Sequence, residues 1–338
     1  MIDLVVAGGG PAGLATALYA AQAGLAVTVV ERRPGVIDKA CGEGLMPHTV
    51  GQLAKLGVAV HGKPFRGIAY LDTRRRIEAP FKSGSGLGVR RTALHSALRD
   101  AVSAAGVRVV TGDIGAVRQD ADAVYCGEFR ARYLAAADGL HSPIRRALGL
   151  SRPSRGPRRW GVRRHVHTAP WSDTVEVYWG EGAEAYVTPV ADDCVGIAIL
   201  TSRQGSFEDH LAEFPSLRDR VGSLAHGRDR AAGPLQQRVS ARRSGRVMLV
   251  GDAAGYVDAL TGEGLGIAFG GAELLANCVV ADRPQDYDRQ WRHMSRRYRV
   301  LTAGLLHASE FKPVRSRIVP AAVALPSVFA GIVNQLAY

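Results

Sequence analysis

An α/β fold is what this sequence predicts: a mostly parallel sheet, interrupted by a β-rich domain and followed by a short C-terminal helical segment. Three observations carry it. Residues 2–7 form a short continuous apolar run, as in a strand buried on both faces of a parallel sheet. An Ala-rich helical stretch, 11–23, stops at Gly24, and a second apolar run fills 26–31, so the chain opens with a βαβ unit. Between 158 and 201 the pattern changes to closely spaced strand-like runs outside that alternation.

The remaining elements follow in order. Residues 65–81 read as short strands around the charged turn Thr73-Arg74-Arg75-Arg76. Residues 91–105 are helical, with Leu94, Leu98, Val102 and Ala105 on one face, and a strand at 107–110 follows Gly106. Another buried strand, 133–137, runs into Asp138-Gly139. Strands are then expected near 162–166, 174–179, 185–189 and 194–201, a buried parallel-type strand at 246–250, and a helix rich in small residues at 264–280. From 287 onward the tail is helical and basic, then apolar. The expected division is a discontinuous nucleotide-binding domain (1–64, 88–150, 240–282), a β-rich substrate domain (65–87, 151–239) and a helical segment (283–338).

The 338 residues, 46% of them hydrophobic, suffice for a sizeable core, and 40 glycines imply many close backbone approaches. The net charge of +12 raises nucleic acid as a partner. Lys occurs only at 39, 55, 63, 82 and 312, so Arg dominates and is spread along the whole chain. That reads as compositional bias, and no nucleic-acid partner is expected. One cluster, Arg152, Arg155, Arg158, Arg159, Arg163 and Arg164, has no acid among it and is expected to be a solvated loop. Cys41, Cys126, Cys194 and Cys278 form no metal-binding spacing, so free thiols, no metal and a cytoplasmic location are expected. No leader is read before residue 2. The apolar stretch 318–333, broken by Pro320 and Pro326, falls short of the roughly 20 residues a bilayer span needs. It is expected to pack against the body, with peripheral membrane contact as the minority reading.

Gly8-Gly9-Gly10-Pro11-Ala12-Gly13 matches G-x-G-x-x-G at a strand-to-helix turn. Gly8, Gly10, Pro11, Ala12 and Gly13 would let a dinucleotide pyrophosphate approach the helix N-terminus. Glu31, at the end of the second strand and followed by Arg32, suits the ribose hydroxyls of an adenosine. Two later motifs specify the dinucleotide. Asp138-Gly139-Leu140-His141-Ser142-Pro143-Ile144-Arg145 has the pattern D-G-x-x-S-x-x-R, and Gly251-Asp252-Ala253-Ala254-Gly255 follows a strand. This order of motifs resembles the FAD-dependent enzymes of the para-hydroxybenzoate hydroxylase fold, over most of the chain to about residue 280. The resemblance implies FAD bound in part by Asp252 at the ribityl chain, by Asp138 and Gly139, by Gly251, and by Arg91 near the phosphates. The turn Thr261-Gly262-Glu263-Gly264 opens a helix whose N-terminus would favour anionic reduced flavin, which adds Gly262, Glu263 and Gly264 to the cofactor site.

Within that fold, Cys41-Gly42-Glu43-Gly44-Leu45-Met46-Pro47 and Leu260-Thr261-Gly262-Glu263-Gly264 look like the geranylgeranyl reductase branch. Tyr186-Val187-Thr188-Pro189 is similar to that branch's prenyl-pocket stretch. Ala259 departs from it, standing where Pro is usual, and Tyr186 alone remains of the preceding aromatics. The resemblance implies a pocket for a lipophilic small molecule lined by Cys41, Pro47, Tyr186 and Pro189. Tyr186, His48 and Cys41 are the catalytic candidates, with His165 and His167 as further proton-handling groups. No second G-x-G-x-x-G follows a strand, so NAD(P)H would dock transiently as reductant. The W-x-W-x-I-P stretch of flavin halogenases is absent. The expected activity is NAD(P)H-dependent monooxygenation of a lipophilic aromatic or polyketide-like molecule. The alternatives are reduction of isoprenoid double bonds and a flavin-bearing binding or sensor protein.

Overall fold

The computed structural model describes residues 1–156 and 158–337. Its first sheet is built on β1 (Ile2–Ala7), β2 (Val27–Glu31), β5 (Arg108–Thr111), β6 (Phe129–Ala136) and β11 (Val247–Leu249). Side by side they run β11-β6-β1-β2-β5, all parallel. Leu4, Val5, Val6 and Ala7 are buried, as a strand covered on both faces requires. Helix α1 (Pro11–Gln22) joins β1 to β2 and packs along α5 (Gly264–Val280), while α3 (Arg91–Ala104) packs on α1's other side. Small residues let these helices close up. A Cβ on Gly266 of α5 would lie 2.3 Å from His48 Nε2, in α2 (Pro47–Lys55).

The register explains where the motifs meet. Ala7 pairs with Ala136 and with Val30, and Ala136 pairs with Leu249, so four strands end level. Their next residues, Gly8, Glu31, Ala137-Asp138 and Val250-Gly251, therefore open onto one crevice at the C-terminal edge of the sheet. That edge is where open parallel sheets bind ligands.

The second sheet contains β3 (Gly67–Leu71), β4 (Arg76–Pro80), β7 (Trp160–His167), β8 (Val175–Trp179), β9 (Ala183–Ala191) and β10 (Cys194–Thr201). Its order is β7-β10-β9-β8-β3-β4, antiparallel except where β8 meets β3. Strand β10 is buried along its whole length. One side of this sheet packs on Phe207, Leu211, Phe214 and Leu217. The tail follows as α6 (Arg296–Glu310), α7 (Lys312–Arg315), α8 (Ile318–Ala324) and α9 (Pro326–Leu336). Among the described residues no single helix is long and apolar enough to cross a membrane; the pair α7–α8 and α9 is bent by 104°. The helical tail lies against β3 and β4, with Ala322, Phe329 and Val333 packed among Ala79, Tyr70 and Ile77.

The arginine cluster departs from the solvated loop expected of it. Arg152, Arg155 and Arg158 are exposed, but Arg159, Arg163 and Arg164 are buried. Arg159 pairs with Glu184 and Asp258, Arg163 with Asp38, and Arg164 with Asp229 and Glu208. The acids come from distant segments, so the local sequence hid the pairing.

Candidate active site

The crevice is one continuous cleft of about 840 Å³ with a polar and an apolar end. The polar end is built by the glycine loop. Gly8 has φ +113°, and a Cβ there would sit 2.4 Å from the Ala137 carbonyl oxygen, so only glycine fits between β1 and β6. Gly13 is tighter still, its Cβ position lying 1.9 Å from the Gly8 carbonyl oxygen. Gly10 differs: it lines the cleft and a Cβ there meets nothing within 4 Å. It precedes α1 without a side-chain cap, and Pro11 follows at the first helical position. The N–H groups of that first turn are left for an anion.

Glu31 holds the loop as well as facing the cleft. Its carboxylate accepts the Gly9 N–H at 2.7 Å and the Arg33 N–H at 3.0 Å, leaving lone pairs for ribose hydroxyls. His95, which the sequence reading missed, braces the same loop from α3. Its Nδ1 accepts the Ile37 N–H at 3.2 Å, so Nε2 carries the proton and donates to the Gly9 carbonyl at 2.8 Å. Burial holds it below the usual imidazole range, hence neutral. Its place one turn after Arg91 on α3 was the available signal.

Cations gather at this end: Arg32, Arg33, Lys39, Arg91, Arg146 and Arg163 all line the cleft. Arg91 is buried, its Nε has no protein partner, and its backbone N–H donates to Glu43 Oε1 at 2.7 Å. Asp138 lines the cleft with Oδ1 unpartnered while Oδ2 accepts the Ile144 N–H. Asp252 lines it too. Desolvation pushes its carboxyl above the usual range, and Lys39, Arg91 and Arg145 pull the other way. Gly251, at φ +62°, allows this turn to approach within 2.6 Å of Ala12 Cβ, measured from the Cβ position. A pyrophosphate-bearing dinucleotide fits these groups: uncapped N–H donors, cations, and two orphaned buried polar atoms.

Arg145 turns out to be a brace. It donates to the carbonyls of Asp252, Ala253 and Leu140 and to Gln237 Oε1, while Ser142 caps its helix, α4 (Pro143–Ala147), by accepting the Arg145 N–H at 2.9 Å. The arginine thus ties the Asp138-Gly139 turn to the Gly251-Asp252 turn.

The apolar end is walled by Ile68 and Tyr70 of β3, Val175 and Val177 of β8, Tyr186 and Thr188 of β9, Ala198 and Leu200 of β10, and Val333 and Leu336 of α9. Cys41, Met46, Leu260, Gly262 and Gly264 complete it from the nucleotide side. Two expected wall residues are corrected. Pro47 is buried at the start of α2 and Met46 takes its place; Pro189 packs its carbonyl against Gly88, and Thr188 faces the cleft. Successive strand residues point to opposite faces, so Tyr186 and Thr188 share one that Pro189 cannot. Glu263 is corrected too. Its side chain is buried beside His48, at 3.5 Å, and is not part of the cleft wall; burial pushes its carboxyl well above the usual range.

The catalytic candidates sort by geometry. Tyr186 lines the cleft but donates its hydroxyl to the Leu260 carbonyl at 2.9 Å, and Thr188 likewise donates to Gly42 at 2.8 Å. These two bonds fasten the β-rich sheet to both turns of the nucleotide side. His48 is outside the cleft and held neutral by burial. His165 is buried: Arg163 donates to its Nδ1, so its Nε2–H donates to Glu43 Oε2 at 2.6 Å. Glu43 adopts φ +60° to reach both His165 and Arg91. His167 is exposed and elsewhere. Cys41 lines the cleft with its thiol pushed up by burial.

Comparison with known proteins agrees with this arrangement. The chain is similar to the menaquinone reductase of Mycobacterium tuberculosis, 30% identical over 86% of this chain and 78% of the relative. It is also similar to digeranylgeranylglycerophospholipid reductase 1 of Methanothermobacter thermautotrophicus, 27% identical over 83% of this chain and 77% of the relative. Its fold matches a geranylgeranyl bacteriochlorophyll reductase-like protein of Thermoplasma acidophilum with TM-score 0.81, at 20% identity over 94% of this chain and 90% of that one. The family described as FAD binding domain matches residues 1–281, and with it the glycine loop, both acidic turns and the cleft between them: the chain belongs to that family and is an FAD-dependent oxidoreductase.

Proposed function

We propose that this oxidoreductase saturates a carbon–carbon double bond in a lipophilic, isoprenoid-bearing molecule, with NAD(P)H as transient reductant. One observation carries the reading. Cys41, Tyr70, Tyr186 and Tyr256, the thiol and phenols lining the apolar end, are all pushed up by burial and keep their protons. Glu43, the carboxylate beside them, has its oxygens engaged by the Arg91 N–H and by His165. Among the described residues, that end of the cleft offers protons and no free base to activate a phenol for hydroxylation.

Reduction adds a hydride and a proton across the double bond. Bound FAD supplies hydride chemistry; the protein's own residues do the rest. The walls of β3, β8, β9, β10 and α9 exclude water and hold an apolar chain. Cys41 Sγ presents a proton to the carbon opposite the hydride, and the thiolate left behind is reprotonated from solvent once the product has left and water re-enters the cleft. The relatives named for menaquinone and digeranylgeranylglycerophospholipid reduction support this substrate class. The test is anaerobic turnover with NADPH and menaquinone or a geranylgeranyl lipid, read by mass spectrometry. A product two hydrogens heavier, formed without oxygen and slowed roughly 10²-fold in Cys41→Ser, is expected. A product that forms only with oxygen and gains an oxygen atom would establish a monooxygenase instead.

A further inference from the structure

We infer that the outer face of the C-terminal helices is a docking surface for an anionic lipid bilayer. Large exposed apolar side chains are few elsewhere on the described residues, yet six fall between 311 and 332. They are Phe311 at 52% exposure, Val314 at 46%, Val323 at 41%, Leu325 at 57%, Val328 at 55% and Ile332 at 43%. Every residue from 323 to 328 is exposed, and Ser327 is the one polar side chain among them. Such a contiguous patch is uncommon on a surface facing only water.

Helix α9 is apolar on two adjoining faces, about 90° apart around its axis. Phe329, Val333 and Leu336 face inward, while Val328 and Ile332, one turn apart, face outward. The tail is also firmly seated. Arg315 pairs with Glu184 and donates to the Gly180 and Ala183 carbonyls, and Asn334 receives the Lys82 N–H and donates to the Pro80 carbonyl. The exposed face is therefore a fixed feature of the fold.

Charge selects the occupant. Residues 311–338 contain no Asp or Glu. Lys312 and Arg317 flank the patch, exposed and without an ion pair among the described residues, and α6 adds exposed Arg296, Arg297 and Arg299. Apolar side chains rimmed by unpaired cations match the interfacial region of an anionic leaflet. The 104° bend between the paired helices lets both lie on that surface while their inner faces stay on the sheet.

The inner face adds a consequence that rests on the proposed function. Val333 and Leu336 form the wall of the cleft's apolar end. Helix α9 then carries both the bilayer contact and part of the cleft wall, so the apolar end of the site lies beside the membrane.

Flotation of the FAD-loaded protein with phosphatidylcholine vesicles, with and without phosphatidylglycerol, tests the docking. Binding to the anionic vesicles is expected, weakening as salt rises. In the double variant Leu325→Asp/Val328→Asp it should fall about a hundredfold, since each of the two apolar side chains withdrawn from lipid is worth roughly a factor of ten. FAD content and melting temperature should not change. No binding to anionic vesicles, or equal binding by the variant, overturns the proposal. So does a wild-type dimer that the variant makes monomeric while neither binds vesicles, since the face would then belong to a second copy. The flotation needs no turnover: vesicle binding without double-bond reduction would sink the proposed reaction and leave the docking surface standing.

Discussion

Gly13→Ala is the sharpest perturbation of the cofactor site, because the structure gives its size. A Cβ at position 13 would lie 1.9 Å from the Gly8 carbonyl oxygen, 3.1 Å from the Gly8 carbonyl carbon and 3.2 Å from Ala137 Cβ. Ordinary contact begins at 3.4 Å, so the first turn of α1 must move by about 1.5 Å, backbone against backbone, where no side chain can yield. Overpacking of this kind costs about 1–3 kcal/mol of stability. The same movement carries the Ala12 and Gly13 N–H groups beyond hydrogen-bond reach of a phosphate placed at the helix end. Two charge-assisted bonds at about 1.5–3 kcal/mol each amount to roughly 3–6 kcal/mol, so the Kd for FAD should rise roughly 10²- to 10⁴-fold. Gly10→Ala is the control. Its Cβ meets nothing within 4 Å and its φ of −72° suits any residue. The apoprotein should melt like wild type, within about 0.5 kcal/mol, while the methyl intrudes on the cleft and weakens FAD. Thermal melts of the apoproteins and FAD titrations followed by flavin fluorescence separate the two. Wild-type FAD affinity and melting in Gly13→Ala, or equal destabilisation by both variants, would refute the reasoning.

Three further outcomes are expected. Arg145→Met removes the brace between the Asp138 and Gly251 turns; it should cost roughly 3 kcal/mol and weaken FAD without touching the cofactor, read by denaturant melts and FAD titration. Arg152→Ala should leave stability within about 0.5 kcal/mol of wild type, whereas Arg163→Ala, which removes the donor to buried His165 Nδ1 and the counter-charge of Asp38 and buried Glu43, should cost about 3–5 kcal/mol. Asp258 should give the stability a pH dependence. Burial and the neighbouring Glu184 push its carboxyl from 3.8 to about 6 although Arg159 opposes them. Arg159 lies between both carboxylates and is held in its charged form. The folded state therefore binds the Asp258 proton more tightly than the unfolded chain. Stability from this group is fully present below about pH 4 and lost as pH rises through 6, by up to about 3 kcal/mol. Urea melts across that range should show the slope in wild type and its flattening in Asp258→Asn; an unchanged slope in the variant would assign it elsewhere.

The nucleotide half was legible because its signals are local. An apolar run, a glycine loop and a small-residue helix each act within a few residues of chain, and backbone sterics leave them one arrangement. The helix expected at 264–280 is observed as Gly264–Val280, and the strand expected at 194–201 as Cys194–Thr201. The level ends of β1, β2, β6 and β11 then follow from parallel pairing, bringing Gly8, Glu31, Asp138 and Gly251 to one edge. Tertiary structure decided what depends on direction and on partners far along the chain. Thr188 rather than Pro189 faces the cleft because a strand alternates its side chains, so one residue of register exchanges wall for packing. Glu263 turns toward His48 instead of the flavin edge because α2 closes against the glycines of α5. Arg159, Arg163 and Arg164 read as solvated because their acids lie in other segments. A buried guanidinium is tolerated only where folding delivers a counter-charge, and no local run of sequence carries that pairing.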